Sequence, residues 1–228
     1  MSVFFRRRGK ASVLDAIFAN NSWEAIIAAC QSGNVPDSWV VGNSKTMTIN
    51  GTDYQIDIIG KNHDTYTAGG KAPLTFQMHD CYGTKYAMNS SDTNVGGWKN
   101  CAMRNTHLPA ILALMPTEVQ NGIREVNKLT SAGSQSATIN TTADKLFLLS
   151  EIEIFGSVSY SKSGEGTQYD YYKAGNRKVK KYNGSAHNWW ERSPYGRNSA
   201  FFCLVASGGG ASYEGASNAF GVAFGFCF

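Results

Sequence analysis

Trp189 to Phe228 read WWERSPYGRNSAFFCLVASGGGASYEGASNAFGVAFGFCF, and this stretch decides the architecture. Aromatic, Val and Cys positions alternate in it with small residues, and Glu214 is the only acidic residue after Glu191. From Phe201 to Ala211 one parity holds Cys203, Val205, Ser207, Gly209 and Ala211, and the other holds Phe202, Leu204, Ala206, Gly208 and Gly210. A strand sends successive side chains to opposite faces, so one set is expected to pack inward while the other forms a shallow displayed surface. Val222, Phe224, Phe226 and Phe228 share one parity, with Ala223, Gly225 and Cys227 opposite. They predict a closing strand over about Gly221 to Phe228, central or near-central in a twisted antiparallel sheet.

Pro194 fixes the chain after Ser193 and keeps that residue extended. Trp189, Trp190, Arg192 and Pro194 are therefore expected to scaffold the site, one Trp filling the core and the other bordering the surface, with parity unable to assign them. The displayed residues are expected to be Tyr195, Gly196, Asn198, Ala200, Leu204, Ala206, Gly208, Gly210, Ser212, Tyr213, Glu214, Ser217, Asn218 and Phe220. Tyr, Ser, Gly and Asn are the residues from which adaptable binding surfaces are built. Tyr195, Tyr213 and Phe220 are the expected anchors, since rigid aromatic groups give large contact area at low entropic cost.

Working back toward the N-terminus, Ser157 to Tyr182 is a long polar excursion carrying five tyrosines between glycines, the kind of segment that is usually functional or mobile. Asp144 to Glu153 is an apolar core segment at either period, and the Ser/Thr/Ala/Gly-rich run Thr130 to Thr142 reads as a surface loop. Thr117 caps a short helix, and Trp98 to about Asn105 predicts another. Asn89 to Gly97 is a polar turn whose Asp92, Asn89, Ser90 and Asn94 suit calcium in principle, although Asx turn chemistry accounts for them better. Leu74 to Met78 is a strand. Lys45 to Ile49 and Asp53 to Ile59 alternate around Asn50-Gly51, the strongest hairpin signal in the chain. Asn21 or Ser22 caps a helix from Trp23, whose Ile26, Ile27 and Cys30 lie on one stripe and which Ser32-Gly33-Asn34 ends. Residues 1–20 form a basic tail with a short amphipathic element, Val13 to Phe18, expected to attach to a partner or a neighbouring subunit, and 21–228 form one ligand-binding domain. Helices gathered early and strands late predict an α+β fold.

Lys and Arg total 21 against 17 Asp and Glu, a net charge of +4, too mild to argue for nucleic acid. The two basic clusters, Arg6 to Arg8 and Lys173 to Lys181, accompany no nucleic-acid-reading motif and read as solvated faces. Five widely spaced cysteines, an odd number, indicate buried thiols rather than a disulfide framework, with a Cys203–Cys227 bridge left open. No run approaches 18 apolar residues, so no transmembrane segment is expected. Nor is a signal peptide, because Val3-Phe4-Phe5 is short and precedes the arginines.

His63-Asp64 and His79-Asp80 are loop imidazole–carboxylate pairs, where acid–base chemistry would be sought. GxSxG, HExxH and a P-loop are absent, as is any Cys/His spacing that binds metal. No cofactor, no metal and no catalytic residue are expected.

The blocks HNWWERSPYGRNSAFFCLV and GVAFGFCF, with WEAIIAACQSGN, GTDYQIDIIGKNHD, MNSSDTNVGGW and TTADKLFLLSEIEIFG upstream, resemble a family of uncharacterised domains of gut bacteria and their phages. Its signature is WW-x-RSP followed by a Ser/Asn/Tyr-studded segment and a closing GVAFGFC-type strand, and the likeness spans roughly Trp23 to Phe228. More distantly the ending is similar to C-type-lectin-fold variable domains of diversity-generating retroelements, although Gly225-Phe226-Cys227 lacks their Arg. The resemblance implies a C-type-lectin-like sheet with flanking short helices and a non-catalytic receptor- or ligand-binding module of a phage tail tip or related surface structure. Its implied partners are a host cell-surface protein or glycan, other tail or surface-structure proteins, and further copies of itself. Its implied location is the virion or cell surface after synthesis in the bacterial cytoplasm. A structural baseplate or decoration protein and a wall- or glycan-acting hydrolase carried by His63, Asp64 and His79 are the alternatives.

Overall fold

The computed structural model describes residues 13–228. Most of the predicted basic tail lies outside the described residues. Its Phe18 does not wait for a partner: it is buried against Trp39 and Phe76 of this same chain, at ring-centroid distances of 5.4 and 6.1 Å. The Trp39 indole also donates to the Asp15 carbonyl at 3.0 Å, which ties the segment to the domain.

Helix α1 (Trp23–Ser32) starts where the Ser22 hydroxyl accepts the Ala25 N–H and stops at Gly33, in the left-handed conformation only glycine adopts freely. Strands β1 (Ser44–Ile49) and β2 (Thr52–Lys61) form the expected hairpin. Asn50 and Gly51 both have positive φ (48° and 77°), as a two-residue turn matching strand twist requires. Strand β3 (Leu74–Met78) is where the sequence places it. Next come α2 (Gly97–Asn100), a π-helical turn Met103–His107, α3 (Leu108–Leu112) and α4 (Thr117–Gly122). The single helix expected over Trp98 to Asn105 is thus broken at Cys101, whose backbone is extended.

The expected loop Thr130 to Thr142 is a loop only over 132–138, its two ends belonging to the paired strands β4 (Val126–Ser131) and β5 (Ile139–Asp144). Its threonines and Ile139 are strand formers whatever the Ser/Gly content around them, and only the segment between the strands turns. Then follow α5 (Glu151–Phe155), α6 (Asp170–Lys173), the β6 (Lys180–Tyr182) and β7 (Ser185–His187) pair, and β8 (Trp189–Pro194), β9 (Phe201–Val205), β10 (Ala211–Gly215) and β11 (Gly225–Cys227). Helices and strands interleave, so the early-helix, late-strand order is corrected, while the mixed α and β content with antiparallel ladders stands.

The ladders run β1-β2-β3-β11, β10-β9-β8, β4-β5 and β6-β7. The closing strand therefore ends its sheet instead of sitting in its centre, and it is shorter than expected. Isolated bridges cap its far side, where Arg124 N–H donates to the Cys227 carbonyl at 2.9 Å and Phe147 exchanges both bonds with Gly225. Covered on both sides and both faces, Val222 to Phe228 are all buried, and the parity rule loses its meaning because neither face is wet. Gly225 is obligatory here: a Cβ would lie 2.9 Å from the Phe147 ring. All five cysteines are buried and free, including Cys203 and Cys227.

Candidate ligand-binding surface

Four half-buried aromatic rings meet at one end of the β8–β9–β10 sheet. Tyr195, just past β8, stacks on Tyr213 of β10 with centroids 4.1 Å apart and planes within 10°. Tyr160, from the excursion, meets Tyr213 edge-on at 5.0 Å, and Phe201 of β9 closes the other flank at 5.6 Å. Offset and edge-on aromatic contacts of this kind hold their rings in fixed poses, which gives a preformed platform. Two of the three expected anchors, Tyr195 and Tyr213, are brought together here. Tyr160 and Phe201 are not among the expected site residues: Phe201 shares the parity of the buried Cys203 and Val205, and a periodicity within 195–220 has no means of finding Tyr160, 35 residues before Tyr195.

The remaining expected positions divide. Asn198 and Ser217 are exposed at the platform margin, beside the half-buried Ala200, Ser212 and Glu214 and the exposed Asn218, whose amide donates to Glu214 at 3.4 Å. Ala206 is half-buried, and Gly208 and Gly210 are exposed at the far turn. Leu204 is not displayed at all: it is fully buried, as are Phe202, Cys203 and Val205, because both faces of β9 are covered. Gly196 is buried beneath the Tyr160 and Ser161 carbonyls. Phe220 belongs to a second aromatic group, edge-on to Trp190 at 5.1 Å and beside His187 at 6.3 Å. Trp189 and Trp190 are both fully buried, so neither borders the surface. Their indoles donate to the Lys178 and Tyr86 carbonyls at 2.9 and 2.8 Å.

The polar turn 89–97 is the buttress of the platform. Buried Asn94 donates its amide to the carbonyls of Asn198 (2.9 Å) and Phe201 (2.7 Å), with Tyr195 at 3.4 Å, and accepts from Ser134 N–H at 2.8 Å. Asp92 accepts from both the Ser217 N–H (2.9 Å) and hydroxyl (2.7 Å). The Asx side chains thus work as turn anchors, and among the described residues no group of three His, Cys, Asp or Glu converges on a metal position. Gly133 permits the crossing below: its Cβ would fall 1.8 Å from the Asn94 carbonyl oxygen.

Beneath the sheet lies a charged interior. Arg192 is fully buried and forks onto Glu153 at 2.5 and 2.9 Å, with further bonds to the Leu148 and Glu165 main-chain carbonyls (2.9 and 2.8 Å) and the Thr130 hydroxyl (2.9 Å). It holds β4, α5 and the excursion together. The excursion is accordingly no free polar loop, since Glu165, Tyr169, Tyr171 and Tyr172 are buried. Lys128 bridges Glu153 and Asp64, both at 2.8 Å. Burial alone would raise the Asp64 carboxyl, but Lys128, Thr75 and His63 hold it down at about 2. Burial also opposes ionisation of Glu153, and Arg192 and Lys128 overrule it, so that carboxyl stays below its usual value.

The residues considered for acid–base chemistry are engaged separately. His63 stacks on Tyr169 at 4.0 Å over a depression of about 260 Å³, while the Asp64 oxygens take bonds from Lys128, Tyr169 and Thr75. His79 pairs with Asp57 at 2.7 Å, and Asp80 with Arg177 at 2.6 Å. Neither sequence-adjacent pair forms a dyad. Among the described residues no helix is long and apolar enough to cross a membrane.

Residues 73–227, more than half of the chain, match the family described as "Domain of unknown function (DUF6273)". The chain belongs to that family. The match begins at the edge of β3, so α1, β1 and β2 precede it even though β1 and β2 continue the same sheet. No curated protein and no solved structure matches the chain.

Proposed function

For this member of the family we propose a non-catalytic receptor- or ligand-binding role, exercised at the Tyr160–Tyr195–Tyr213–Phe201 platform, in a phage tail tip or related surface structure. The observation that carries it is the stacked Tyr195–Tyr213 pair, half-exposed and held from below by Asn94 and Asp92. Preorganised aromatic groups with small polar neighbours are the anchors of binding surfaces, because little entropy is lost when they are covered. The tail-tip location and the C-type-lectin-like character of the sheet come from the sequence resemblance. The partner on this reading is a host cell-surface protein or glycan.

The test is adhesion of the purified protein to cells of a susceptible bacterium. Replacing Tyr195 and Tyr213 together with Ala should abolish adhesion while lowering the melting temperature by only a few degrees. Phe220→Ala, outside the platform, should leave adhesion intact. Equal adhesion with and without the tyrosine pair, or turnover of a wall or glycan substrate that His63→Ala removes, would overturn the proposal in favour of the hydrolase.

A further inference from the structure

Tyr160 reaches the platform on a segment pinned by carboxyl groups. The Glu151 carboxylate accepts from three successive backbone amides: Ser159 N–H at 3.0 Å, Tyr160 N–H at 3.1 Å and Ser161 N–H at 2.7 Å. Four residues later the chain is pinned again at Glu165, whose carboxyl accepts from Ser131 N–H at 2.8 Å and from the Ser193 hydroxyl. The Glu165 main-chain carbonyl takes bonds from Arg192 and the Ser150 hydroxyl, both at 2.8 Å. Glu191 of β8, fully buried, is close enough to feel the charge of both acids, and neither of its oxygens has a hydrogen-bond partner among the described residues. The Ser161 hydroxyl is buried and unpartnered too.

Three elements therefore send three carboxyl groups into one region: α5 sends Glu151, the excursion Glu165 and β8 Glu191. The other titratable and charged groups facing it are Arg192 on β8, Glu153 behind it on α5 with Lys128 of β4, and the Cys203 thiol of β9. The two cations are already matched by Glu153 and Asp64. Each further ionised carboxylate is a surplus negative charge in a poorly solvated interior, where like charges repel strongly.

Resting on the platform reading above, we infer that Tyr160 is a ligand-contacting wall of the platform and that this carboxyl cluster seats it when protonated and releases it when a second member ionises. With Glu165 and Glu191 neutral, the single charge of Glu151 is met by the backbone amides. Ionising Glu165 sets two carboxylates against each other, and freeing residues 159–166 is the cheapest relief, since that moves Glu165 toward water and Tyr160 off Tyr213. Burial raises Glu165 to about 7, against the bonds from Ser193 and Ser131. Burial, with Glu151 and Glu165 beside it, pushes Glu191 well above the carboxylate range. Glu165 thus changes charge as the solution turns neutral.

The experiment is amide hydrogen exchange of the full chain at pH 6 and pH 8, following peptides that cover 157–168 and correcting for intrinsic chemistry with the β1–β2 hairpin. If the seated segment holds Glu165 near 7 and the released one returns it to 4.5, protection should fall about tenfold between the two conditions. Glu165→Gln should remove that step and keep the segment protected at pH 8. Glu151→Gln should leave it unprotected at both. Equal protection of the wild-type segment at both pH values, or a step that survives Glu165→Gln, overturns the inference. The readout needs no ligand, so a step in exchange alongside adhesion that ignores the platform tyrosines would fault the binding reading instead.

Discussion

The two halves of the buried charge system differ in balance. On one side Asp64, Lys128, Glu153 and Arg192 alternate in sign, and every carboxylate oxygen has a cationic or hydroxyl donor. On the other, among the described residues Glu151, Glu165 and Glu191 have no cation that is not already paired with Glu153 or Asp64, and the Glu191 oxygens have no hydrogen-bond partner. The first arrangement is a rivet whose removal strands its partners. The second is a load carried only while protons remain on it. Residue type does not separate the two, since all five acids are buried in the same domain; the company each keeps does.

The largest effect expected from breaking this contrast is on the balanced side. Arg192→Met leaves Glu153 short of its fork, the Leu148 carbonyl without its Arg192 donor and the Glu165 carbonyl with the Ser150 hydroxyl alone, and should cost ~3–5 kcal/mol, read as a fall in the denaturant midpoint. A midpoint unmoved by that change would mean the rivet holds nothing.

The next effect is the pH dependence of stability. Glu165 has a folded-state value above its unfolded one, so the native state holds the proton more tightly and stability declines as pH rises from about 4.5 to about 7. The shift corresponds to roughly 3 kcal/mol, and Glu165→Gln should flatten most of that slope in equilibrium unfolding across pH 5 to 8. Asp64 works the other way and in another window: its depressed value contributes stability that is lost only as pH falls below about 4 toward 2. A wild-type protein that gains stability from pH 5 to 8 would reverse the assignment of surplus acid.

Smaller still, Glu191→Gln removes a group with no bond to lose, and its melting temperature at pH 6 should be unchanged or higher, in opposition to Arg192→Met. Last, His63→Ala should cost only ~1 kcal/mol through its stack on Tyr169 and leave adhesion unaltered.

Local chemistry was the legible part of the sequence. Asn50-Gly51, Ser22 with Gly33, and Leu74 to Met78 announce turn, caps and strand through residues a few positions apart, and the structure has them there. What the sequence hid depends on coverage. Parity sorts the faces of a strand only when one of them meets water; in β9 and the closing strand both are packed, so Leu204 is buried although its parity predicts display. Glycine and serine between Thr130 and Thr142 masked a hairpin that tertiary pairing decides. Half of the platform was visible in Tyr195 and Tyr213. Of the other half, Phe201 shares the parity of the buried Cys203 and Val205, and Tyr160 with its Glu151 anchor arrives from a distant segment through main-chain amides, for which no side-chain pattern codes.

Asn94 has one further consequence. Its amide grips the loop 195–201 only by carbonyl oxygens, at Asn198 and Phe201 with Tyr195 farther out, and every amino acid supplies that same oxygen. The loop is held like a page by its margin, so what is written at 195, 198 and 201 can be exchanged without unclipping it. Such a mount lets one frame carry many different texts, and its vulnerable point is the clip: Asn94 cannot be replaced by Asp without turning a donor into an acceptor and dropping the whole page.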